Sequence, residues 1–312
     1  MITDYGVKGM LGAALSSFTP LSNMLSSICY MFGSELAAGQ AEKLDFIGNI
    51  PAMSRWLGKR QDAIPIAHAY QVVMEKFETS AVLPLDWLEN DKTALVQQRI
   101  GQIPVRRNQL YGKLAADLIN AAATAVAYDG VAYFSSSHSH GGHTIDNAID
   151  VDVGTPAAPT PLEMANAIYR LYQTMLSFVD DRGEPCNEDI SAMKITCGTS
   201  LAASAMQAID NNTLDTGAGT VDNPLRGLRA AGVQLQLCAS PRLTSTTKIQ
   251  AWKANPGSAP LAIGRNGKSA KMTAKAGGSD FEHDEDAHAY GYKETVCAGY
   301  GLFTDACEAT FI

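Results

Sequence analysis

Several signatures of catalysis are missing from this chain of 312 residues. It has no Walker-type G-x-x-x-x-G-K-[ST] motif and no G-x-S-x-G elbow, which excludes the usual sequence marks of P-loop nucleotidases and α/β-hydrolases. Its six cysteines are scattered without a C-x-x-C pair. Such spacing is typical of buried thiols in a reducing compartment rather than of a zinc or disulfide framework. No motif indicates an active site.

Charge and apolar length set further bounds. Charged residues make up only 18% of the chain and hydrophobic residues 46%, which is enough for a large core in one domain or two. The net charge of −8 argues against dedicated nucleic-acid binding, although an acidic wall can still enclose DNA. No run approaches the roughly 18 apolar residues of a membrane span, and Asp4 stands where a signal peptide carries positive charge. We expect a soluble, intracellular protein.

A short basic segment around a tryptophan is the most informative feature that is present. Two glycines and a proline break the stretch from Phe46 to Arg60, and Arg55, Trp56 and Lys59 stand in its second half. A tryptophan in so broken a segment has little to pack against in its own subunit, and Trp and Arg are the usual anchors of protein interfaces. We therefore predict that Arg55, Trp56, Lys59 and Arg60 contact an adjacent copy of the chain.

The first 38 residues are predicted to form an arm. Helical patterns at Val7–Ser16 and Leu21–Phe32 are separated by Thr19-Pro20, and their apolar faces are short. We expect both helices to lie on another part of an assembly, so that the arm is needed for assembly but not for the fold. Residues 39–85 carry strand patterns on both sides of the tryptophan and predict a two-stranded projection.

A long basic helix is predicted from Asp91, a suitable N-cap, to about Ala127. Pro104 should kink or interrupt it. Five basic residues and no acidic ones fall between positions 92 and 116, namely Lys92, Arg99, Arg106, Arg107 and Lys113. Copies of such a helix would repel one another unless an acidic partner or another anion neutralises them.

An acidic run near the C-terminus could supply that partner. Five acidic residues stand within Asp280–Asp286. A calcium loop fits this run poorly, because Glu285 occupies the place of the turn glycine and Gly291 that of the final glutamate. We predict that the basic helix meets this run, within or between subunits; alternatively its basic face touches enclosed DNA or is solvated. The predicted contact residues are Arg99, Arg106, Arg107, Asp280, Asp284 and Asp286, with Lys113 as a further basic candidate.

Three histidines within six residues form the most tempting catalytic feature. His138, His140 and His143 could hold zinc or nickel, and Asp146 could add an oxygen ligand. Structural zinc sites usually draw their ligands from separated elements, however, and catalytic ones need supporting hydrogen bonds. We interpret the stretch as part of a polar loop region, Ser135–Pro161, and keep a metal-dependent enzyme as an alternative of a different class.

The second half of the chain predicts a small α/β unit at residues 191–265. An amphipathic helix, Pro161–Val179, precedes it, and a helix at Leu201–Ile209 lies inside it. The predicted strands of this unit are Met193–Cys197, Val233–Cys238 and Lys248–Ala254. The closing segment outside it, Tyr290–Phe311, predicts two further strands.

Several short motifs follow one another in a specific order along the chain. They are Ile47-Gly-x-x-Pro51, Trp56-Leu-Gly-Lys-Arg60, Tyr70 with Lys76-Phe-Glu78, Asp129-Gly130 followed by Phe134 and His138, Ala239-Ser-Pro-Arg-Leu243, and Tyr290-Gly-Tyr-Lys with Ala298-Gly-Tyr-Gly-Leu-Phe-x-x-Ala306. Single motifs are weak, but in this order and spacing they resemble the major head (capsid) protein of Mu-like phages from about Val7 to the C-terminus. The Ser/His/Gly loop and the Pro-rich linker at 154–161 depart from the pattern.

The resemblance implies an α+β protein with the Hong Kong 97-type capsid fold, in which Asp91–Ala127 would be the spine helix. The implied parts are an N-terminal arm (1–38), an extended loop (39–85), a peripheral domain with the spine helix (86–190), an axial domain (191–265) and return strands of the peripheral domain (266–312).

The resemblance also implies a structural role without catalysis or cofactor. We expect pentamers and hexamers of the chain to self-assemble into an icosahedral head shell around double-stranded phage DNA, without sequence-specific binding and without a membrane. The further partners would be portal, scaffold and decoration proteins, and the location the virion, after assembly in the host cytoplasm. A bacterial encapsulin shell with enzyme cargo is the alternative that shares the fold.

Overall fold

The computed structural model describes residues 3–16, 24–47, 67–90, 92–216 and 219–312. The predicted contact residues Arg55, Trp56, Lys59 and Arg60 lie outside these ranges. Among the helices described, none combines the length and the apolar character that crossing a membrane requires.

In the described ranges, the helices are α1 (Asp4–Ser16), α2 (Leu85–Glu89), α3 (Thr93–Ala121), α4 (Pro161–Leu176), α5 (Ala202–Asp210), α6 (Leu225–Ala230) and α7 (Asp280–Glu285). The strands are β1 (Cys29–Ser34), β2 (Ala41–Ile47), β3 (Ala67–Val73), β4 (Glu75–Pro84), β5 (His138–His140), β6 (His143–Ile145), β7 (Ala148–Val151), β8 (Ala192–Cys197), β9 (Thr213–Asp215), β10 (Thr220–Asp222), β11 (Gln234–Ala239), β12 (Lys248–Lys253), β13 (Leu261–Lys275), β14 (Ala287–Tyr300) and β15 (Ala306–Phe311).

Two sheets organise these elements. One has the strand order β1–β13–β14–β4; helix α3 packs against β4 and β14, and α1 packs on α3. The other has the order β11–β8–β12–β15–β7, with α4 and α5 packed against it. Strands β2 and β3 form a separate antiparallel ribbon in which Ala41 pairs with Val73 and Ile47 with Ala67. This ribbon agrees with the predicted two-stranded projection, whereas β4 continues into the four-stranded sheet.

The structure confirms the main elements predicted between residues 161 and 254. Helix α4 begins at Pro161 because Thr160 caps it: the Thr160 hydroxyl accepts the Glu163 N–H, and the Glu163 carboxylate accepts the Thr160 N–H. This reciprocal pair is a capping box. The apolar stripe of the helix is fully buried and consists of Met164, Ile168, Leu171 and Met175.

The long helix predicted from Asp91 to about Ala127 is confirmed as α3, which begins at Thr93 and ends at Ala121. Helix α3 continues through Pro104 instead of being interrupted there. A proline inside a helix costs about 3 kcal/mol, because it removes one hydrogen bond and crowds the preceding turn. Fully buried apolar side chains contribute about 1.5–3 kcal/mol each. Buried side chains on both sides of the proline, including Ile100, Ile103 and Tyr111, therefore outweigh this cost.

The N-terminal arm is integrated into the subunit more closely than predicted. Helix α1 confirms the first helical pattern, but Val7 and Leu11 are buried in the cluster that contains Ile100 of α3. The second predicted helix, Leu21–Phe32, is wrong: a single 3₁₀ turn leads into β1, which pairs in parallel with β13. Both segments complete the subunit's own core. Their burial argues against the expectation that the arm is dispensable for the fold.

The C-terminal strand and the histidine region also differ from expectation. The resemblance assigns residues 266–312 to the peripheral domain, but β15 pairs with β12 and β7 in the five-stranded sheet. The region predicted as a loop, Ser135–Pro161, contains β5, β6 and β7. Strands of three or four residues are too short to show a period of two, so the sequence could not reveal them.

The burial of α1 predicts how the arm contributes to stability. Leu11→Ala should lower the free energy of unfolding of the unassembled subunit by about 2–5 kcal/mol, because it leaves a cavity between α1 and α3. Tyr5→Ala, on the same helix at a side chain that is 90% exposed, should change it by less than about 0.5 kcal/mol. Urea unfolding followed by circular dichroism measures both values. Equal effects would show that α1 is not part of the subunit core.

Candidate assembly interface

A basic stripe lies along the exposed face of α3. Arg99, Arg106 and Lys113 are spaced by seven residues, so they fall on nearly one line of the helix, about 10 Å apart. All three side chains are exposed. Among the described residues, none of the three forms an ion pair, and Arg106 donates a hydrogen bond to the Gln109 side chain at 2.9 Å. The stripe is therefore free to meet anionic groups outside the subunit.

A groove between α3 and β4 carries this stripe. It consists of two adjoining cavities of about 320 and 360 Å³, and Thr79 and Arg106 line both of them. The apolar side chains of Phe77, Leu110 and Tyr292 line the first cavity together with basic groups. We call this first cavity the basic groove; its exposed cations are Arg106, Lys113 and Arg242.

A buried ion network lies beneath the basic groove. Glu294, on β14, is only 2% exposed and accepts hydrogen bonds from Arg107 at 3.0 and 3.2 Å. The Arg265 guanidinium lies 3.2 Å from the same carboxylate, and the Tyr292 hydroxyl donates to it at 2.8 Å. Two guanidinium groups thus share one carboxylate. The floor of the groove keeps a net positive charge.

Tyr292 completes this network as a neutral donor. Burial, with the negative charge of Glu294 beside it, raises the pKa of Tyr292 to about 12. The phenol therefore stays protonated at physiological pH, and its hydroxyl donates a hydrogen bond to the Glu294 carboxylate. Its ring also lies under the Arg107 guanidinium, 4.8 Å from ring centroid to Cζ. Both contacts orient Arg107 toward the carboxylate.

The structure corrects the prediction for Arg107. Its carboxylate partner is Glu294, in the same subunit, and not the acidic run; the Arg107 side chain is 5% exposed and serves the fold. Only one sequence signal could have indicated this pair. Glu294 lies two residues from Tyr292 and from Val296, so all three share one face of the strand, and both neighbours are buried. A carboxylate on a buried face needs a cation beside it.

The acidic run forms a short capped helix with an exposed end. Ser279 caps α7 by accepting the Glu282 N–H, and Asp286 ends it in the left-handed region with φ of 49°. Glu282 is engaged by His288, with Oε1 and Nε2 2.9 Å apart. The side chains of Asp280, Asp284, Glu285 and Asp286 are exposed. We call Asp284–Asp286 the acidic tip; within the described chain, it makes no ion pair with the basic stripe.

The contacts of His138 are structural, and both of its ring nitrogens are engaged within the fold. Its side chain is fully buried, Nδ1 lies 2.6 Å from Asp129 Oδ2, and Nε2 lies 3.1 Å from the Tyr133 carbonyl oxygen. The ring stacks on Phe303 at a centroid distance of 4.0 Å. His140 and His143 pair across the β5–β6 hairpin. In the described ranges, no group of three or more His, Cys, Asp or Glu residues is arranged to hold a metal.

Comparison with known proteins gives one family match. Residues 16–160 match the model of the family described as Mu-like prophage major head subunit gpT. The resemblance stated from the sequence motifs is thereby confirmed for this part of the chain. No curated protein matches the chain.

Solved structures match most of the chain. The capsid of cyanophage P-SCSP1u aligns with a TM-score of 0.56 and 12% identity, over 95% of this chain and 90% of that one. The bacteriophage JBD30 capsid aligns with a TM-score of 0.54 and 16% identity, over 73% and 93%. A virus-like particle from Pyrococcus furiosus aligns with a TM-score of 0.51 and 9% identity, over 98% of this chain and 100% of that one. These similarities confirm the predicted α+β capsid fold.

The buried network predicts unequal roles for two neighbouring arginines. Arg107→Ala should lower the free energy of unfolding by about 3 kcal/mol, because it removes one cation from a buried carboxylate. Arg106→Ala, one residue away and exposed, should change it by no more than about 0.5 kcal/mol. Denaturant titration of the unassembled subunits compares the two. A loss at Arg106 as large as at Arg107 would contradict this assignment.

Proposed function

We propose that this chain, a member of the Mu-like prophage major head subunit family through residues 16–160, forms the closed icosahedral shell that encloses phage DNA. Its role as a major head subunit rests on one observation: the family match and the capsid fold agree in the same chain. Pentamers and hexamers, a portal, scaffold and decoration proteins, and assembly in the host cytoplasm are the finer parts of this proposal.

The charge of the chain suits a container for DNA. A net charge of −8 on each subunit keeps a polyanion from adhering to the wall, so the genome can be packed and released without sequence-specific binding. Contacts between subunits must then provide the cohesion of the shell, because binding to DNA supplies little of it. The exposed basic stripe on α3 and the exposed acidic tip are available for such contacts.

We assign no catalytic step to the chain. The family is one of structural head subunits, and the histidine at the start of the 138–143 stretch supports the fold through Asp129 and Phe303. An encapsulin-type compartment remains the second candidate, because such a shell would share the capsid fold. The head-subunit family match favours the phage head.

Purification of particles made by the chain tests the proposal. Expressed with its neighbouring phage genes, the chain should sediment as a large, homogeneous particle that protects double-stranded DNA from nuclease. Expressed without them, it should form empty particles that carry no enzyme. A single co-purifying enzyme inside particles free of DNA would favour the encapsulin alternative, and a chain that stays monomeric would contradict both.

The tryptophan segment is proposed to anchor each subunit to its neighbour. Trp56→Ala should cost about 2 kcal/mol or more per contact, because Trp is a frequent interface hot spot, and the loss recurs at every copy. Particle yield and thermal dissociation measure it. Trp56→Phe, which keeps an aromatic ring, should lose less. Normal yield and melting for Trp56→Ala would remove Arg55, Trp56, Lys59 and Arg60 from the proposed interface.

A further inference from the structure

We propose that the basic groove receives the acidic tip, Asp284–Asp286, of a neighbouring copy of the chain. The inference rests on the proposed function, because an assembled shell is what brings the two surfaces of different subunits together. The sequence predicted that the basic helix meets the acidic run within or between subunits. The inference specifies the basic groove, the acidic tip and a contact between subunits.

The basic groove carries more cationic than anionic side chains from its own subunit. Arg106, Lys113 and Arg242 are exposed around it, and within the described chain none of them forms an ion pair. Glu78 is the exposed carboxylate among its lining residues, and Glu294 beneath is already shared by two guanidinium groups. An incoming carboxylate would be attracted by the exposed cations and by the net positive floor.

The acidic tip is presented as a preformed unit. The Asp286 N–H donates to the Glu282 carbonyl oxygen at 3.0 Å, and the Asp286 carbonyl oxygen accepts the Leu85 N–H at 3.0 Å. These bonds tie the end of α7 to the start of α2. A rigid segment loses little conformational entropy on docking. Three consecutive exposed carboxylates therefore match a cavity that is bordered by three exposed cations.

The subunit's own tip cannot reach the basic groove. Tyr292, which lines the cavity, is six residues from Asp286 along the extended strand β14. At about 3.4 Å per residue, this separation is about 20 Å. The partner carboxylates must therefore come from another copy.

Packaged DNA is the competing partner, and the shape of the groove disfavours it. Phosphate contacts are made by exposed basic side chains along an accessible surface. Here the cations border a cavity whose walls include Phe77, Leu110 and Tyr292, and an exposed carboxylate, Glu78, lies among them. Carboxylate side chains on a short helix fit such a cavity better than a duplex does.

A charge swap tests the pairing. Arg106→Glu with Lys113→Glu should lower particle yield about tenfold or more, because like charges then face each other, and Asp284→Lys with Glu285→Lys in the same chain should restore most of it. The yield of wild-type particles should also fall as salt rises. The matched control is Arg226→Glu with Asp222→Lys, which inverts an exposed local pair at 3.7 Å outside the groove. It should leave the yield unchanged.

A cross-link provides a measurement that does not depend on rescue. Lys113→Cys and Glu285→Cys in one chain, oxidised mildly in assembled particles, should give a ladder of covalently joined subunits, whereas each single variant should stay monomeric on a denaturing gel. The native thiols give little background: five of the six are buried, and burial raises the pKa of the partly exposed one, Cys186, to about 11, so it reacts slowly.

The outcomes separate this inference from the proposed function. Wild-type particles, loss in the groove variant, rescue by the swap and a ladder in the double-cysteine variant support it. Normal assembly of the groove variant, a swap without rescue or the absence of a ladder overturns it and leaves the proposed function intact. If the groove variant forms normal shells that fail to retain DNA, the basic groove binds the packaged DNA, and this inference is also overturned. A wild-type chain that forms no particles overturns both.

Discussion

The burial of α3 is the constraint on which the rest of the structure depends. Its first half, with Val96, Ile100 and Ile103, packs in the cluster that α1, β4 and Tyr290 complete. Its second half, with Tyr111 and further buried residues, joins the large cluster that extends through the five-stranded sheet. One helix thereby contributes side chains to two hydrophobic cores. Its remaining face, which bears the basic stripe, is left for contacts outside the subunit.

The Arg107–Glu294 pair contributes more to the orientation of α3 than to the stability of the fold. Replacing a buried ion pair by apolar residues is often neutral or stabilising, so such a pair is weak evidence for stability. Its bidentate geometry and the Tyr292 donor fix the rotation of α3 over β14. That rotation directs Arg106 and Lys113 into the basic groove. In the proposed shell every copy must present the same contacts, and a fixed register serves that requirement.

Local signals in the sequence were sufficient for part of this structure. The amphipathic spacing of apolar residues predicted α4, and short apolar runs predicted β8, β11 and β12. Features set by distant partners were not predictable in this way. The pairing of β15 with β7 and β12, the strand at Cys29–Ser34 and the partner of Arg107 each depend on residues far apart in the chain. The ordered motifs, which carried the resemblance, supplied the capsid fold that local patterns could not.

Electron cryomicroscopy of particles purified from cells that express the chain tests the central claim most directly. The account predicts closed icosahedral shells whose subunits have the capsid fold described here, with α1 and β1 packed within their own subunit. Density for residues 284–286 of one subunit should lie beside Arg106 and Lys113 of the next. Samples that contain only monomers, open aggregates or a small oligomer would contradict the account.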